Sequence, residues 1–156
     1  MSRERNATSR RAEALLWSIA LPGLGQFLNR KYLKGVVIVG IGLLLNLQSN
    51  FSIAVLLSVR GNIGQAIAQT DYQWLLFYPC LYMFSIWDTY KDAGGGGSTY
   101  SFLPFVVSAY STTVGLMYSP SLTIFGKLWG PVWLPVLGGS VGFCAGVLLK
   151  RFLPAK

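Results

Sequence analysis

The sequence contains no histidine, only 5 acidic residues against 13 Lys and Arg, and only two cysteines. Histidine is a frequent general base and metal ligand, so its absence excludes the commonest nucleophilic triads and zinc sites. The stretch GGSVG at 138–142 matches the G-x-S-x-G pattern of serine hydrolases, but no imidazole is present to activate Ser140. Cys80 and Cys144 lie inside apolar runs, where cysteine acts as a small hydrophobic residue. We therefore predict that the protein is not an enzyme and uses no cofactor, metal or disulfide framework.

Charged residues are also scarce, at 12% of the chain, whereas apolar residues make up 53%. A soluble domain carries roughly 25% charged residues, because it presents a polar surface to water. Here the charges gather in short clusters between long apolar runs, a pattern typical of a membrane protein. The net charge of +8 is then explained by orientation in the lipid bilayer, and we expect no nucleic-acid partner.

The first apolar run, residues 14–28, is too short to cross about 30 Å of hydrocarbon as one helix. It also contains Pro22, Gly23 and Gly25, which interrupt a regular helix. We expect this segment to form a short re-entrant or interfacial helix.

Four longer runs each approach the roughly 20 residues that one crossing requires. The sequence thus predicts an all-α, polytopic helical membrane protein in a single domain over 1–156, with the N-terminal helix followed by four spans at 33–50, 73–90, 100–118 and 131–149. The glycine-rich stretch at 91–99 is expected to be a flexible cytoplasmic linker.

The first span has two possible ends, because the apolar run continues to residue 59. Asn46, Gln48 and Asn50 favour an end near residue 50, since amides are costly at mid-bilayer. Residues 51–69 would then lie along the outer surface, although the sequence leaves open whether they are in the membrane or on it.

The segment between the last two spans has a pattern of its own. Leu122, Phe125 and Trp129 recur at helical spacing opposite Lys127. This spacing predicts a short interfacial helix.

The distribution of positive charge predicts the orientation. With four crossings, all but two of the 13 Lys and Arg fall on the side of the termini and of the 91–99 linker, the exceptions being Arg60 and Lys127. Positive residues accumulate on the cytoplasmic side of membrane proteins. We therefore expect a multi-pass protein of the cell membrane with both termini in the cytoplasm.

The last two spans carry small residues at helical spacing. Such residues allow two helices to approach closely in lipid, either within one chain or in a homodimer, and intramolecular packing is the favoured interpretation. The predicted packing residues are Gly138, Gly142 and Gly146 on the last span and Ser108, Ser111, Thr112 and Gly115 on the third.

Asp88 and Asp92 lie four residues apart at the cytoplasmic end of the second span. Paired carboxylates can hold a divalent cation together with a lipid phosphate. Lys91 lies between them and the 30–34 turn brings further cations to the same side, so ion pairing is the favoured interpretation.

The stretch LPGLGQFLNRKYLKG at 21–35 resembles the PGLGQ-x-YNG-xx-x-KG motif of small bacterial membrane proteins related to the two-transmembrane-segment domain family. In this sequence Leu28 and Arg30 replace the usual Tyr and Gly, and IWDTYKDA at 86–93 is similar to the Trp-Asp segment that closes the second hydrophobic segment in the same group. The resemblance implies a helical hairpin core with an Asp at its cytoplasmic exit. The motif residues are Pro22, Gly23, Gly25, Gln26, Asn29, Lys34 and Gly35.

Two functional hypotheses are favoured over a third, an enzyme that acts at the cytoplasmic face through Asp88 and Asp92. Packing motifs without a catalytic group favour a non-enzymatic scaffold or partner-binding subunit, which would associate with other membrane proteins or with itself. The alternative is a small channel or transporter for an uncharged solute or a lipid, in which Asn46, Gln48, Asn50, Ser111 and Thr112 line a polar path.

Overall fold

The computed structural model describes residues 12–153, and over this range the chain is mostly helical. Residues 12–20 are helical and are called α1 here. The later helices are α2 Leu24–Leu28, α3 Tyr32–Ser49, α4 Phe51–Val59, α5 Ile63–Gln69, α6 Tyr72–Leu75, α7 Tyr78–Tyr90, α8 Leu103–Tyr118 and α9 Gly130–Phe152. A π-helical turn, Lys91–Gly95, continues α7, and two short strands, β1 Thr123–Ile124 and β2 Lys127–Leu128, precede α9.

By length and composition, α3 and α9 could each cross a membrane. Their most apolar 18-residue windows have mean hydropathies of 1.5 and 1.9, and 28% of each window is buried. Most residues in these two windows are therefore at least partly exposed. The predicted terminal cations Arg3, Arg5, Arg10, Arg11 and Lys156 lie outside the described residues.

The first long helix ends at Asn50, which adopts a left-handed conformation with φ 54°. The helix does not run on to residue 59, because α4 starts a new direction after this turn. The chain returns at Asp71, whose N–H donates to the Ser49 carbonyl at 3.1 Å. Residues 50–70, which contain α4 and α5, therefore form a helical connection whose two ends lie side by side.

The predicted span 73–90 is divided between α6 and α7. Pro79 lies in the first turn of α7, where a missing N–H breaks no helical hydrogen bond. The proline thus begins a helix rather than bending one. The predicted flexible linker starts as a π-helical turn, which Gly94 disrupts at φ 85°.

The interfacial helix expected around Leu122, Phe125 and Trp129 was a wrong prediction. The segment is an antiparallel hairpin in which Thr123 pairs with Leu128 and Ile124 with Lys127. Phe125 and Gly126 form the two-residue turn and have φ 54° and 73°. Positive φ at both central residues is the geometry that the twist of a hairpin favours, and it outweighs the apolar spacing.

The helices α8 and α9 form a close antiparallel pair along their small residues. A Cβ added at Gly138 would lie 2.7 Å from the Ser111 carbonyl oxygen, and one at Gly142 would lie 2.8 Å from that of Val107. Ser108 adds a hydrogen bond at 2.8 Å to the Gly139 carbonyl. The two predicted small-residue faces thus meet within the chain, where Gly115 also touches the backbone of α9.

We predict that Gly146→Ala destabilises the protein. The new Cβ would lie 2.5 Å from Pro104 Cα and 3.0 Å from the Leu103 carbonyl oxygen, and neither backbone atom can rotate away. The expected loss in free energy of unfolding is about 1–3 kcal/mol, measured by denaturant titration in detergent.

The matched control is Gly40→Ala on α3, where nothing lies within 4 Å of the new Cβ. Alanine is the better helix former, so stability should rise by up to about 1 kcal/mol. Equal effects of the two substitutions would contradict close packing at Gly146.

Candidate functional site

The PGLGQ segment, 21–35, forms a tight turn and the short helix α2, which pack between α3 and α7. Gly23 has φ 106°, and its N–H donates to Ser85 Oγ at 3.0 Å. A Cβ at Gly25 would lie 2.5 Å from Thr89 Cγ2, and one at Gly35 would lie 2.8 Å from the ring of Phe27. Glycine is needed at these positions because the backbone approaches its neighbours closely.

Gln26 is the polar centre of this contact and is fully buried. Its Nε2 donates to the Ser85 carbonyl at 2.9 Å and to Asp88 Oδ2 at 3.3 Å, while its Oε1 accepts from Ser85 Oγ at 3.4 Å. Both ends of the amide are therefore satisfied, as a buried polar group requires.

Lys34 completes the contact with two ion pairs. Its Nζ lies 2.7 Å from Asp88 Oδ1 and 3.2 Å from Asp92 Oδ2. The carboxylate of Asp88 thus accepts a hydrogen bond from Gln26 on one oxygen and from Lys34 on the other. This arrangement is the ion pairing that the sequence favoured, with Lys34 rather than Lys91 as the cation.

Two further hydrogen bonds join α1 and the end of α2 to Thr89. Ser18 Oγ donates to Thr89 Oγ1 at 2.8 Å, and Asn29 Nδ2 donates to the Thr89 carbonyl at 3.0 Å. We call this hydrogen-bonded set the polar clamp. Its members are Ser18, Gln26, Asn29, Lys34, Ser85, Asp88, Thr89 and Asp92.

Sequence reasoning missed three members of the polar clamp: Ser18, Ser85 and Thr89. The available signal was periodicity, because Ser85, Asp88, Thr89 and Asp92 recur three or four residues apart on α7 and its continuation. A polar stripe on an otherwise apolar helix predicts a polar partner. Only the fold showed that this partner is the PGLGQ segment.

Arg30, where the resembling family has glycine, adopts φ 60°. A left-handed conformation costs a residue with a side chain about 1 kcal/mol or more relative to glycine. The turn after α2 therefore keeps the shape that glycine favours.

A lateral groove of about 1070 Å³ lies beside the polar clamp. Residues of α1 and α7 line one wall, α9 lines the other, and α8 forms the floor. The lining side chains are mainly aliphatic and aromatic, including Tyr82, Ile86 and Phe143. The hydroxyl of Tyr82 donates to the Ile19 carbonyl and ties the α1 part of the wall to α7.

The hydroxyl groups in the floor and the α9 wall already have acceptors. Ser108 donates to the Gly139 carbonyl, Thr112 to the Ser108 carbonyl and Ser140 to the Val136 carbonyl, each at 2.8 Å. These side chains present mostly carbon surface to the groove. An apolar occupant suits such a surface better than a polar solute.

Of the five residues proposed for a polar path, only Thr112 lines the groove. Asn46 Oδ1 accepts from the backbone and the hydroxyl of Ser52, and Asn50 Nδ2 donates to the Gln69 carbonyl. These amides hold the turn between α3 and α4, and Gln48 on the same helix is exposed. Ser111, by contrast, packs against Gly142 on α9, and Thr112 packs against Gly139.

Within residues 12–153 no group of three or more His, Cys, Asp or Glu is placed to hold a metal ion. No known protein family, curated protein or solved structure matches the chain. The fold itself defines the class of the protein: it is mostly helical, and two of its described helices, α3 and α9, could cross a membrane.

We predict that Asp88→Asn destabilises the helix arrangement. The side chain of Asp88 is 12% exposed, and the change removes the charge that pairs with Lys34. A loss of about 1–3 kcal/mol is expected from denaturant titration in detergent.

Asp92→Asn is the matched control, because Asp92 pairs with the same lysine at a longer distance and is more exposed. Its cost should be at most about 1 kcal/mol. A larger cost at Asp92 than at Asp88 would show that the buried contact is not the stronger one.

Proposed function

We propose that this chain is a small integral membrane protein with four crossings and cytoplasmic termini, and that it acts as a non-enzymatic partner-binding subunit. The observation that carries the proposal is the lateral groove, an apolar surface that the described chain leaves uncovered. Such grooves between helices are common binding sites.

The arrangement of charge supports four crossings. The polar clamp joins the start of α3 to the end of α7, and a Cβ at Gly146 on α9 would touch Pro104 at the start of α8. These helix ends therefore lie at one end of the structure. They bring together most of the described cations: Arg30, Lys31, Lys34, Lys91, Lys150 and Arg151.

The opposite end is formed by the turns after α3 and α8 and by the start of α9. Tyr72 and Ser119 share a hydrogen bond of 3.2 Å there, and a Cβ at Gly130 would lie 2.7 Å from Ile63 Cγ2. Arg60 and Lys127 are the cations in these connections. This asymmetry agrees with a positively charged cytoplasmic side.

We expect a single-cysteine series to reveal this orientation. With Cys80 and Cys144 replaced by Ser, a membrane-impermeant maleimide should label Gly64→Cys and Ser121→Cys in intact cells, and Gly97→Cys only after permeabilisation. The three positions are exposed, so folding should be unaffected. Labelling of Gly97→Cys in intact cells, or different sides for the other two, would contradict four crossings.

The alternative of a channel or transporter for an uncharged solute or lipid has less support. A polar path needs hydroxyl and amide groups that are free to bind the solute. Here the hydroxyls of Ser108, Thr112 and Ser140 donate to backbone carbonyls. Asn46 bonds Ser52, and Asn50 bonds the Gln69 carbonyl. Lipid binding still fits the apolar groove and is separated experimentally below.

Filling the groove should release the partner. Ser140 is exposed in the groove wall, so Ser140→Phe should occupy the space without disturbing the core. We expect the complex extracted in mild detergent to weaken at least about tenfold, which corresponds to about 1.4 kcal/mol. Native mass spectrometry of the tagged full-length protein measures the change.

The control is Val141→Phe, at a neighbouring residue that is 69% exposed and lies outside the groove. It introduces the same aromatic side chain outside the groove, so the complex should persist. A lone wild-type chain, or the same result for both variants, would contradict the proposal.

A further inference from the structure

The length of the groove matches the thickness of a bilayer. Its α9 wall extends from Pro131 to Lys150, which at about 1.5 Å per residue is roughly 29 Å. The hydrocarbon core measures about 30 Å. A phospholipid occupies one leaflet, about half of that distance, whereas a transmembrane helix extends over all of it.

The α9 wall carries short side chains that permit close approach. Val136, Ser140 and Cys144 follow one another at four-residue spacing, and all three are exposed and line the groove. Small residues at this spacing allow a neighbouring helix backbone to come near in lipid. The wall of α7 carries larger side chains such as Tyr82 and Met83, so an inserted helix would lie against α9.

The charge at one end of the groove selects a complementary partner. Lys150 is the charged residue among the described side chains that line the groove, and it lies at the cytoplasmic end of α9 under the proposed orientation. An acidic side chain at the cytoplasmic end of a partner helix would pair with it. If that end is also the helix C-terminus, the macrodipole adds to the attraction.

A second copy of this chain fits less well. Gly142 and Gly146 already pack against α8 within the chain. The cytoplasmic ends of α3 and α9 carry cations, and Asp88 and Asp92 are already paired with Lys34. A copy inserted with one of those two helices would place like charges next to Lys150.

Resting on the proposed function, we propose that the lateral groove is the docking site for one transmembrane helix of a different protein. That helix packs against Val136, Ser140 and Cys144 of α9 and has an acidic residue at its cytoplasmic end, next to Lys150.

Site-specific photocrosslinking in the native membrane tests the proposal. A photoreactive phenylalanine analogue is placed in the full-length protein at groove positions 78, 105 and 143, where it replaces an aromatic side chain and leaves the groove open, and at the control positions 137, 141 and 148. The control residues Leu137, Val141 and Leu148 are exposed but do not line the groove.

We expect a protein adduct from the groove positions at least about tenfold above the controls. Mapped by mass spectrometry, its crosslinked residues should lie three or four apart within one apolar segment of a single protein, as one helix face requires. Lys150→Glu should reduce the adduct at position 143 several-fold, whereas Lys150→Arg should preserve it.

Adducts with phospholipid alone, with a second copy of this chain, or with many proteins at the control level would overturn the inference. An adduct that is insensitive to Lys150→Glu would contradict the proposed acidic residue on the partner helix. If native mass spectrometry detects a complex but the groove positions give no crosslinks, the docking of a helix in the groove would be contradicted, whereas partner binding would still hold. The absence of any complex would contradict both.

Discussion

The buried amide of Gln26 is the contact on which the arrangement of the first helices depends. It satisfies the Ser85 carbonyl and one oxygen of Asp88 in a region from which water is excluded. An unpaired amide or carboxylate there would cost about 1–3 kcal/mol, so the surrounding backbone must hold both groups in register. The glycines next to Gln26 provide that register, because Gly25 permits contact with Thr89 and Gly23 turns the chain toward α3.

The second half of the chain is held by a different force. Its helices α8 and α9 carry no amide or carboxylate side chains, and they are joined by close contact at Gly142 and Gly146 and by the hydrogen bond from Ser108 to the Gly139 carbonyl. In lipid, helix association depends on this kind of van der Waals packing, since apolar burial between helices gains little. The two halves meet in an aromatic cluster near one end, where Trp87 and Tyr90 lie beside Phe105.

The groove is a consequence of these two modes of packing. The polar clamp fixes α7 to α2 and α3, and the small residues allow α9 to pack against α8. The helices α7 and α9 therefore each pack against a different neighbour. Between α7 and α9 lies a mainly apolar surface. Its hydroxyls at Thr112 and Ser140 already donate hydrogen bonds to backbone carbonyls. The proposed docking of a helix depends on this apolar lining.

The sequence alone determined the helical class, the approximate bounds of α3 and α9 and the small-residue pattern, because each depends on local periodicity and composition. The cations nearby also favoured an ion pair for Asp88, and the structure pairs it with Lys34. The sequence could not determine that Gln26 lies against Ser85, since these residues are far apart in the chain and no periodicity links them. It was wrong about Phe125, because the turn geometry of Phe125 and Gly126 outweighed their apolar spacing. Only the tertiary structure determined the groove. Its walls come from α7 and α9, and the distance between them depends on how α7 packs against α2 and α3 and how α9 packs against α8.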